Sequence, residues 1–246
     1  MVKLSERLLK ISNFIEAGES MADIGTDHGL LPIFLLAHKI SPKVILSDIG
    51  EGPLEKAKEN IDKYRHGLCF TEEMFSLRQG NGLETLQDGE VEDVVIAGMG
   101  GKLMIKILEG NMEKSRSYQK FIFQPRNAPE KLEAWLMSNG FIITDAVLAR
   151  EGIYIWEIFT AKSLETEKLL PLDLDHLKNG VCSWLIKKQD PLFREFINRK
   201  IAIEQRIVQA IVTKSLKGDC RKLEESRERI MHMKGLLREF ERVALG

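Results

Sequence analysis

The stretch Ser20-Met-Ala-Asp-Ile-Gly-Thr-Asp-His-Gly-Leu-Leu-Pro32 constrains this chain more than any other. A short apolar run ends in an acid, Asp23. Two glycines, Gly25 and Gly29, and a second acid, Asp27, follow within six residues, and then a helix-like pattern begins. Such a strand–turn–helix corner is where a doubly wound α/β domain holds a nucleotide-like ligand, its glycines letting the backbone turn tightly and approach closely. The acids set the sign of that ligand. A helix N-terminus favours anions, yet Asp23 and Asp27 would repel a pyrophosphate. They suit a ligand with a cationic amino acid end and a sulfonium, which describes S-adenosylmethionine.

Strand and helix patterns alternate along the first two thirds of the chain. After an amphipathic helix over 4–17, strands are expected at Met21–Gly25, Val44–Ile49, Phe75–Gln79, Asp93–Ala97 and Lys120–Gln124. Helices are expected at Leu31–His38, Pro53–Tyr64, Gly82–Leu86, Lys102–Gly110 and 129–138, with Pro129 suited to a first turn. Two further strands, Ile142–Arg150 and Ile153–Ala161, are separated only by Glu151-Gly152, which implies an antiparallel hairpin. Five parallel strands and a hairpin predict an α/β fold with a seven-stranded sheet. From about residue 163 the strand signal stops. Residues 175–188 read as a helix, Pro191 opens a long helix to about Lys217, Gly218-Asp219 breaks it, and a last helix runs to about Val243. Leu223, Ser226, Ile230, Met233, Leu237, Phe240 and Ala244 recur at alternating spacings of 3 and 4, facing Phe193, Ile197, Ile201, Val208 and Ile211 of the partner helix, as in an antiparallel coiled-coil hairpin. The chain thus divides at 1–162 and 163–246.

The net charge of −1 identifies no partner, but its distribution is uneven. Residues 163–246 hold 17 Lys/Arg against 13 Asp/Glu, and residues 1–162 hold 19 against 24. A basic helical module on an acidic body fits a polyanionic substrate, although solvated helix faces also explain a small excess. Three cysteines, at 69, 182 and 220, include no C-x-x-C pair. Neither a disulfide framework nor a metal site is expected, and a reducing cytoplasm is. Lys3, Glu6, Arg7 and Lys10 interrupt any leading apolar stretch, so no signal peptide and no membrane association are expected.

Each candidate residue has a functional and a plainer reading. Gly25 lets the methionine portion of a ligand pack on backbone while Asp23 orients its ammonium; a helix cap or turn acid is the alternative for Asp23. Asp48, 25 positions after Asp23, suits the two hydroxyls of a ribose, or caps the helix before Pro53. Asn81, within Gly80-Asn81-Gly82, can pair with an adenine edge, though Asn-Gly also suits a tight turn. Ala97-Gly98-Met99-Gly100-Gly101 lets a ligand lie on bare backbone, with Met99 as a soft surface for a ring; a Gly-rich turn without ligand is the alternative. Asp27 is the catalytic candidate. A ring-nitrogen acceptor needs no deprotonation, and a nearby carboxylate stabilises the positive charge that develops on it. The alternative is a cap for the helix near Leu30. His28 is an acid–base candidate by type, or a structural contact beside Gly29. Gln124, Arg126 and Asn127, after the fifth strand, are candidates for reading RNA.

The motifs DIGTDHGLLP, SDIGEGPLEKAKEN, RQGNGL, IAGMGGKLM and the Gln124-Pro125 pair together resemble the TrmK family. These are bacterial tRNA methyltransferases that modify ring nitrogen 1 of adenine 22 with S-adenosylmethionine. The resemblance covers nearly the whole chain. It implies a Rossmann-like class I methyltransferase domain, a C-terminal coiled coil and a cytoplasmic tRNA substrate, in a monomer or weak homodimer. It places Asp23, Gly25, Asp48 and the 97–101 segment in the cofactor pocket and Asp27 beside the target base. Thr26, His28, Ile49, Gly80, Asn81, Gly82, Ala97, Gly98, Met99 and Gly100 complete the expected pocket. The Asn/Asp-Pro-Pro-aromatic turn that exocyclic-amine methyltransferases carry after the fourth strand is replaced here by AGMGG, which favours a ring nitrogen. The rival readings are a methyltransferase of a small molecule or protein and an inactive RNA-binding module. Gly25-x-x-x-Gly29 is not the G-x-G-x-x-G of a nicotinamide enzyme.

Overall fold

The computed structural model describes residues 2–68, 71–164, 181–213 and 220–245. The chain divides into two units, Met1–Val181 and Cys182–Gly246. In the first, the apolar runs become strands β1 (Met21–Ile24), β2 (Val44–Asp48), β3 (Phe75–Gln79), β4 (Asp93–Gly100) and β5 (Lys120–Asn127), followed by the hairpin β6 (Phe141–Glu151) and β7 (Tyr154–Ser163). All of β1, the first four residues of β2 and β4, and the first six of β5 are buried. Unbroken burial belongs to parallel strands covered on both faces. The sheet order is β3-β2-β1-β4-β5-β7-β6, with β1 to β5 parallel and β7 antiparallel to both β5 and β6. The chain leaves β1 towards β2 and β3, then returns to place β4 on the other side of β1. Ligands of such sheets sit beyond the strand C-termini at this switch.

Helices α1 (Glu6–Ser12), α2 (Leu30–Ala37) and α3 (Glu51–Leu68) supply Ile11, Leu31, Ile33, Leu35, Leu36, Ala57 and Ile61 to one core cluster, with Met21, Leu46, Val95, Ile122 and Ile158 of the sheet. Ser5 starts α1 by accepting the Leu8 N–H, and Asn13 ends it, so this helix is shorter than its apolar spacing suggests. Helices α4 (Gly101–Glu109), α5 (Met112–Ser117) and α6 (Pro129–Ser138) follow β4 and β5. Phe123 packs against Phe121 and Phe159, and Phe121 against Phe141. The helix expected over Gly82–Leu86 is a 3₁₀ turn, Gly82–Thr85, and α5 was not expected.

The second unit contains α7 (Val181–Lys187) from its second residue on, α8 (Phe193–Thr213) and α9 (Cys220–Leu245). Helices α8 and α9 run antiparallel: Phe193 stacks on Phe240, Arg194 pairs with Glu241 at 2.7 Å, and Arg229 pairs with Glu204 at 2.9 Å. Phe193, Phe196, Ile197 and Ile201 of α8 and Ser226, Met233 and Phe240 of α9 are buried. The expected break at Gly218-Asp219 and the start of the helix expected from 175 lie outside the described residues. Among the described residues no helix is long and apolar enough to cross a membrane, and no group of side chains could hold a metal ion.

One ion pair ties the 3₁₀ turn to the sheet. Arg78 of β3 donates to both oxygens of Glu90, at 2.7 and 2.6 Å, and to the Thr85 carbonyl at 2.8 Å. The Arg78 hydrogen bonds hold the Glu90 carboxyl down at about 2. A depressed carboxylate stabilises the fold above its unfolded pKa and loses that contribution as pH falls through the folded value. Glu90→Gln is expected to cost roughly 1–3 kcal/mol at pH 7. The deficit should shrink from about pH 4.5 to about pH 2, as followed by urea unfolding across that range.

Candidate active site

The C-termini of β1, β2 and β4 bring the expected residues to one edge of the sheet. Asp23 is buried there, and its Oδ2 accepts the Thr26 hydroxyl at 2.7 Å. Thr26 is itself buried, and its N–H and that of Gly25 donate to the Ser47 carbonyl, which fastens the turn to β2. Burial pushes the Asp23 carboxyl up to about 6; the Thr26 bond and the Arg7 charge pull it back, while Asp48 and Asp27 push it further up. Gly25 has φ +75°, a conformation that favours glycine, and the flexible end of the Met99 side chain rests on it where a Cβ would point.

Asp27 is exposed, with its side chain 83% accessible, and its Oδ1 lies 3.2 Å from the His28 Nε2. Helix α2 begins at Leu30 behind Gly29, φ +65°, with no side-chain cap bond, so the capping role open to Asp27 is not filled. His28 is held at φ +61°, its carbonyl accepting the Asn60 amide at 2.9 Å. Asp48 serves partly as a turn acid, because its Oδ1 accepts the Gly50 N–H at 2.7 Å. Its Oδ2 faces Gly25. Ile49 beside it is 70% exposed, an apolar surface at the same edge. The backbone N–H of Gly80 bonds to the Asp48 carbonyl. Asn81 then starts the 3₁₀ turn without capping it and, with Leu83, Leu103, Lys106 and Ile107, lines a groove of about 290 Å³.

The AGMGG segment is not a turn after the strand. Strand β4 runs through it to Gly100, with register shifts against β5 at Ala97/Met99 and Met99/Gly100 and Gly98 at φ +74°. Gly98 inserts an extra residue into the pairing, a bulge of the kind that re-aims side chains at sites. A Cβ on Gly101 would come 2.5 Å from the Ala128 carbonyl oxygen, so the bareness of Gly101 serves the close approach of the chain after β4 to the chain after β5. Strand β5 likewise continues past Gln124 to Asn127, leaving Arg126 and Asn127 exposed.

The expectation that Gln124 reads RNA is corrected. Its side chain is 1% exposed and fully engaged: Oε1 accepts the Arg7 guanidinium at 2.9 Å and the Gly98 N–H at 3.2 Å, while Nε2 donates to the Pro125 carbonyl. Arg7, on α1, also donates to Glu151 at the end of β6. Sequence reasoning gave Arg7 no part in the site, because its partners lie 117 and 144 positions away. The available signal was a lone arginine in a short amphipathic helix just before an acidic corner.

Asp23, Asp27 and Asp48, two glycine-lined backbone segments and exposed Ile49 lie at the switch point, where a doubly wound sheet holds its ligand. Residues 4–159 match the methyltransferase-domain family, and the chain belongs to it. More particularly, it is similar to the tRNA (adenine(22)-N(1))-methyltransferase of Bacillus subtilis, 34% identical over 162 residues, which is 66% of this chain and 66% of that protein. The crystal structure of the B. subtilis m1A22 tRNA methyltransferase TrmK superposes with a TM-score of 0.72 at 28% identity, covering 99% of both chains. A Streptococcus pneumoniae protein solved in complex with S-adenosyl-L-methionine superposes with a TM-score of 0.74 at 26% identity, over 96% of this chain and all of that one. The likeness to TrmK proteins read from the motifs therefore extends through both units.

Because the Arg7 charge pulls the Asp23 carboxyl down, Arg7→Ala is expected to raise it above about 6. A raised carboxyl contributes stability at low pH that is lost as pH rises through the folded value. The variant should therefore lose most stability above pH 6, with Arg7→Lys recovering the Asp23 titration but not the fork to Gln124 and Glu151. Carboxyl-carbon NMR of Asp23 and thermal melts at pH 4 and 8 check both.

Proposed function

We propose that this chain is an S-adenosylmethionine-dependent tRNA methyltransferase that modifies ring nitrogen 1 of adenine 22. The observation that carries the reading is the buried Asp23 carboxyl, raised to about 6, at an edge it shares with Asp27 and Asp48. A desolvated carboxylate without an ion pair of its own recovers stability from a cationic ligand group and repels a phosphate. The residues fit the cofactor on that ground: Asp23 for its ammonium, the backbone at Gly98 and at Gly25, once the flexible Met99 side chain lying on it turns aside, for its methionine arm, Asp48 Oδ2 for its ribose, and Ile49 and Asn81 for its adenine. Bound there, S-adenosylmethionine supplies an electrophilic methyl group carried on a sulfonium. Asp27 does the chain's part of the chemistry. Exposed and uncommitted to a cap, its carboxylate accepts a hydrogen bond from the exocyclic amine of the target adenine and offsets the positive charge that N1 methylation leaves on the ring. His28, 3.2 Å away, orients that carboxylate.

The relatives carry the choice of tRNA and of adenine 22, since they are described as m1A22 tRNA methyltransferases. The helix pair supports it with exposed Arg206, Arg227, Lys234 and Arg238, suited to phosphate contacts. The domain division at 162/163, a coiled-coil geometry for α8 and α9, a cytoplasmic location and a monomer or weak homodimer complete the proposal.

The test is mass-spectrometric mapping of unmodified tRNA incubated with the purified protein and labelled cofactor; the label is expected at N1 of adenine 22. Asp27→Ala should lower kcat by about 10²–10³-fold. Its cofactor Kd, from calorimetry, should stay unchanged. Near-normal turnover would remove Asp27 from the chemistry. Cofactor affinity should fall as pH drops below about 6, when Asp23 takes up its proton.

A further inference from the structure

The β6–β7 hairpin ends at the same edge of the sheet as Asp23 and Gly98, because β7 runs antiparallel to β5. Its turn, with Gly152 at φ +58°, leaves Ile153 73% and Tyr154 57% exposed. Tyr154 and Trp156, two residues apart and so on one face of β7, stack with ring centroids 5.3 Å apart and planes 26° from parallel. The next residue on that face, Ile158, joins the core cluster that includes Ile11 of α1 and Ile122 of β5. The ring pair therefore continues the α1 face of the sheet out to its functional edge. One ring face of Tyr154 is backed by Trp156 and the rest is largely open.

Charge beside the rings narrows the occupant. Glu151 pairs in register with Tyr154, and the nearby Arg126 charge helps hold the Glu151 carboxyl below its ordinary range, after the larger effects of Ser5 and Arg7. Arg126 is itself exposed. A flat ring backed by a second ring, at the edge where Arg126 is exposed near the end of β5, matches the parts of a nucleotide: a base for the ring and a phosphate for the guanidinium. The acidic corner explains why such a site is needed. Asp23, Asp27 and Asp48 accept a base but repel its phosphates, so the flanking backbone must be held farther out along the rim.

We propose that Tyr154, backed by Trp156, is a stacking platform for an unpaired base of the RNA substrate next to the target nucleotide, with Arg126 on the adjoining phosphate. The proposal rests on the reading of the chain as an RNA methyltransferase. It adds a specificity-determining surface outside the cofactor pocket.

The experiment measures kcat and KM for unmodified tRNA, and cofactor Kd by calorimetry, for wild type, Tyr154→Ala, Tyr154→Phe, Tyr154→Leu and Arg126→Ala. Tyr154→Ala is expected to raise the tRNA KM by about tenfold, with cofactor Kd and melting temperature unchanged. Tyr154→Phe, which keeps the ring, should restore the wild-type value, and Tyr154→Leu should not. Arg126→Ala should weaken tRNA binding and reduce the steepness of its salt dependence by about one phosphate contact. An unchanged KM in Tyr154→Ala, while wild type methylates tRNA, overturns the platform alone. Full rescue by leucine also overturns it, since the patch would then be an apolar docking surface for a protein or membrane. If wild type neither binds nor methylates tRNA, the RNA reading fails and the platform falls with it.

Discussion

Burial of the Asp23 carboxyl at the end of the central strand sets the terms for everything around it. A desolvated carboxylate costs several kcal/mol unless its surroundings compensate. Here compensation is partial: one hydroxyl donor from Thr26 and the charge of Arg7, against the like charges of Asp48 and Asp27. Partial compensation leaves the group raised to about 6, poised between a neutral acid and an anion. Full pairing within the chain would make a stable but inert site. Under the proposed function the incomplete offset suits the corner to a cation, and the sheet topology puts it at the switch between β1 and β4, where strand ends diverge and a ligand can enter.

The rigidity of the corner comes from backbone rather than from more side chains. Gly25 and Thr26 both donate their N–H groups to one carbonyl of β2, and Gly98 donates its own to Gln124. Gln124 is held in turn by Arg7, so helix α1 reaches beneath the site from the N-terminus and braces the bulge of β4. One guanidinium thus fixes a backbone amide, adjusts the charge state of Asp23 and anchors Glu151 at the base of the β6–β7 turn. Helix α1 is placed both by this fork and by Leu8 and Ile11, which pack into the core cluster.

Much of this was legible in the chain before its structure. The apolar runs Val44–Leu46 and Val94–Ala97 read directly as buried parallel strands, because nothing in them alternates. Asp23, Gly25 and Asp48 stand at strand ends in both views, since an acid or glycine that closes an apolar run marks where the strand leaves the core. What stayed hidden depends on long-range pairing. A glycine-rich turn and a glycine bulge have the same sequence, and only the register with Pro125 and Asn127 makes Gly98 a bulge within β4. Gln124 looked like a polar residue at an open edge. Its burial follows from Arg7, whose position beside it is set by how α1 docks on the hairpin rather than by local pattern. The 3₁₀ turn at Gly82–Thr85 carries helical periodicity, but it is held by Arg78 and Glu90, neither of which belongs to that pattern.

Charge is segregated along the functional edge, and that arrangement unites the two proposed subsites. The inner corner holds Asp23, Asp27 and Asp48. Arg126 stands exposed at the end of β5, beside a hairpin tip with open aromatic surface. A nucleic acid approaching this edge meets attraction at the rim and repulsion at the corner. A phosphate therefore gains nothing by moving inward, whereas an uncharged base does. Under the proposed function, an adenine that reaches Asp27 leaves its backbone behind at the rim, which is the geometry of an extruded nucleotide. Extrusion costs a few kcal/mol of lost stacking. A ring pair such as Tyr154 and Trp156 offers the neighbouring base a new stacking partner and offsets part of that cost. On that proposal, the acids that favour a cationic donor over a phosphate-bearing one also require substrate phosphates to be held elsewhere.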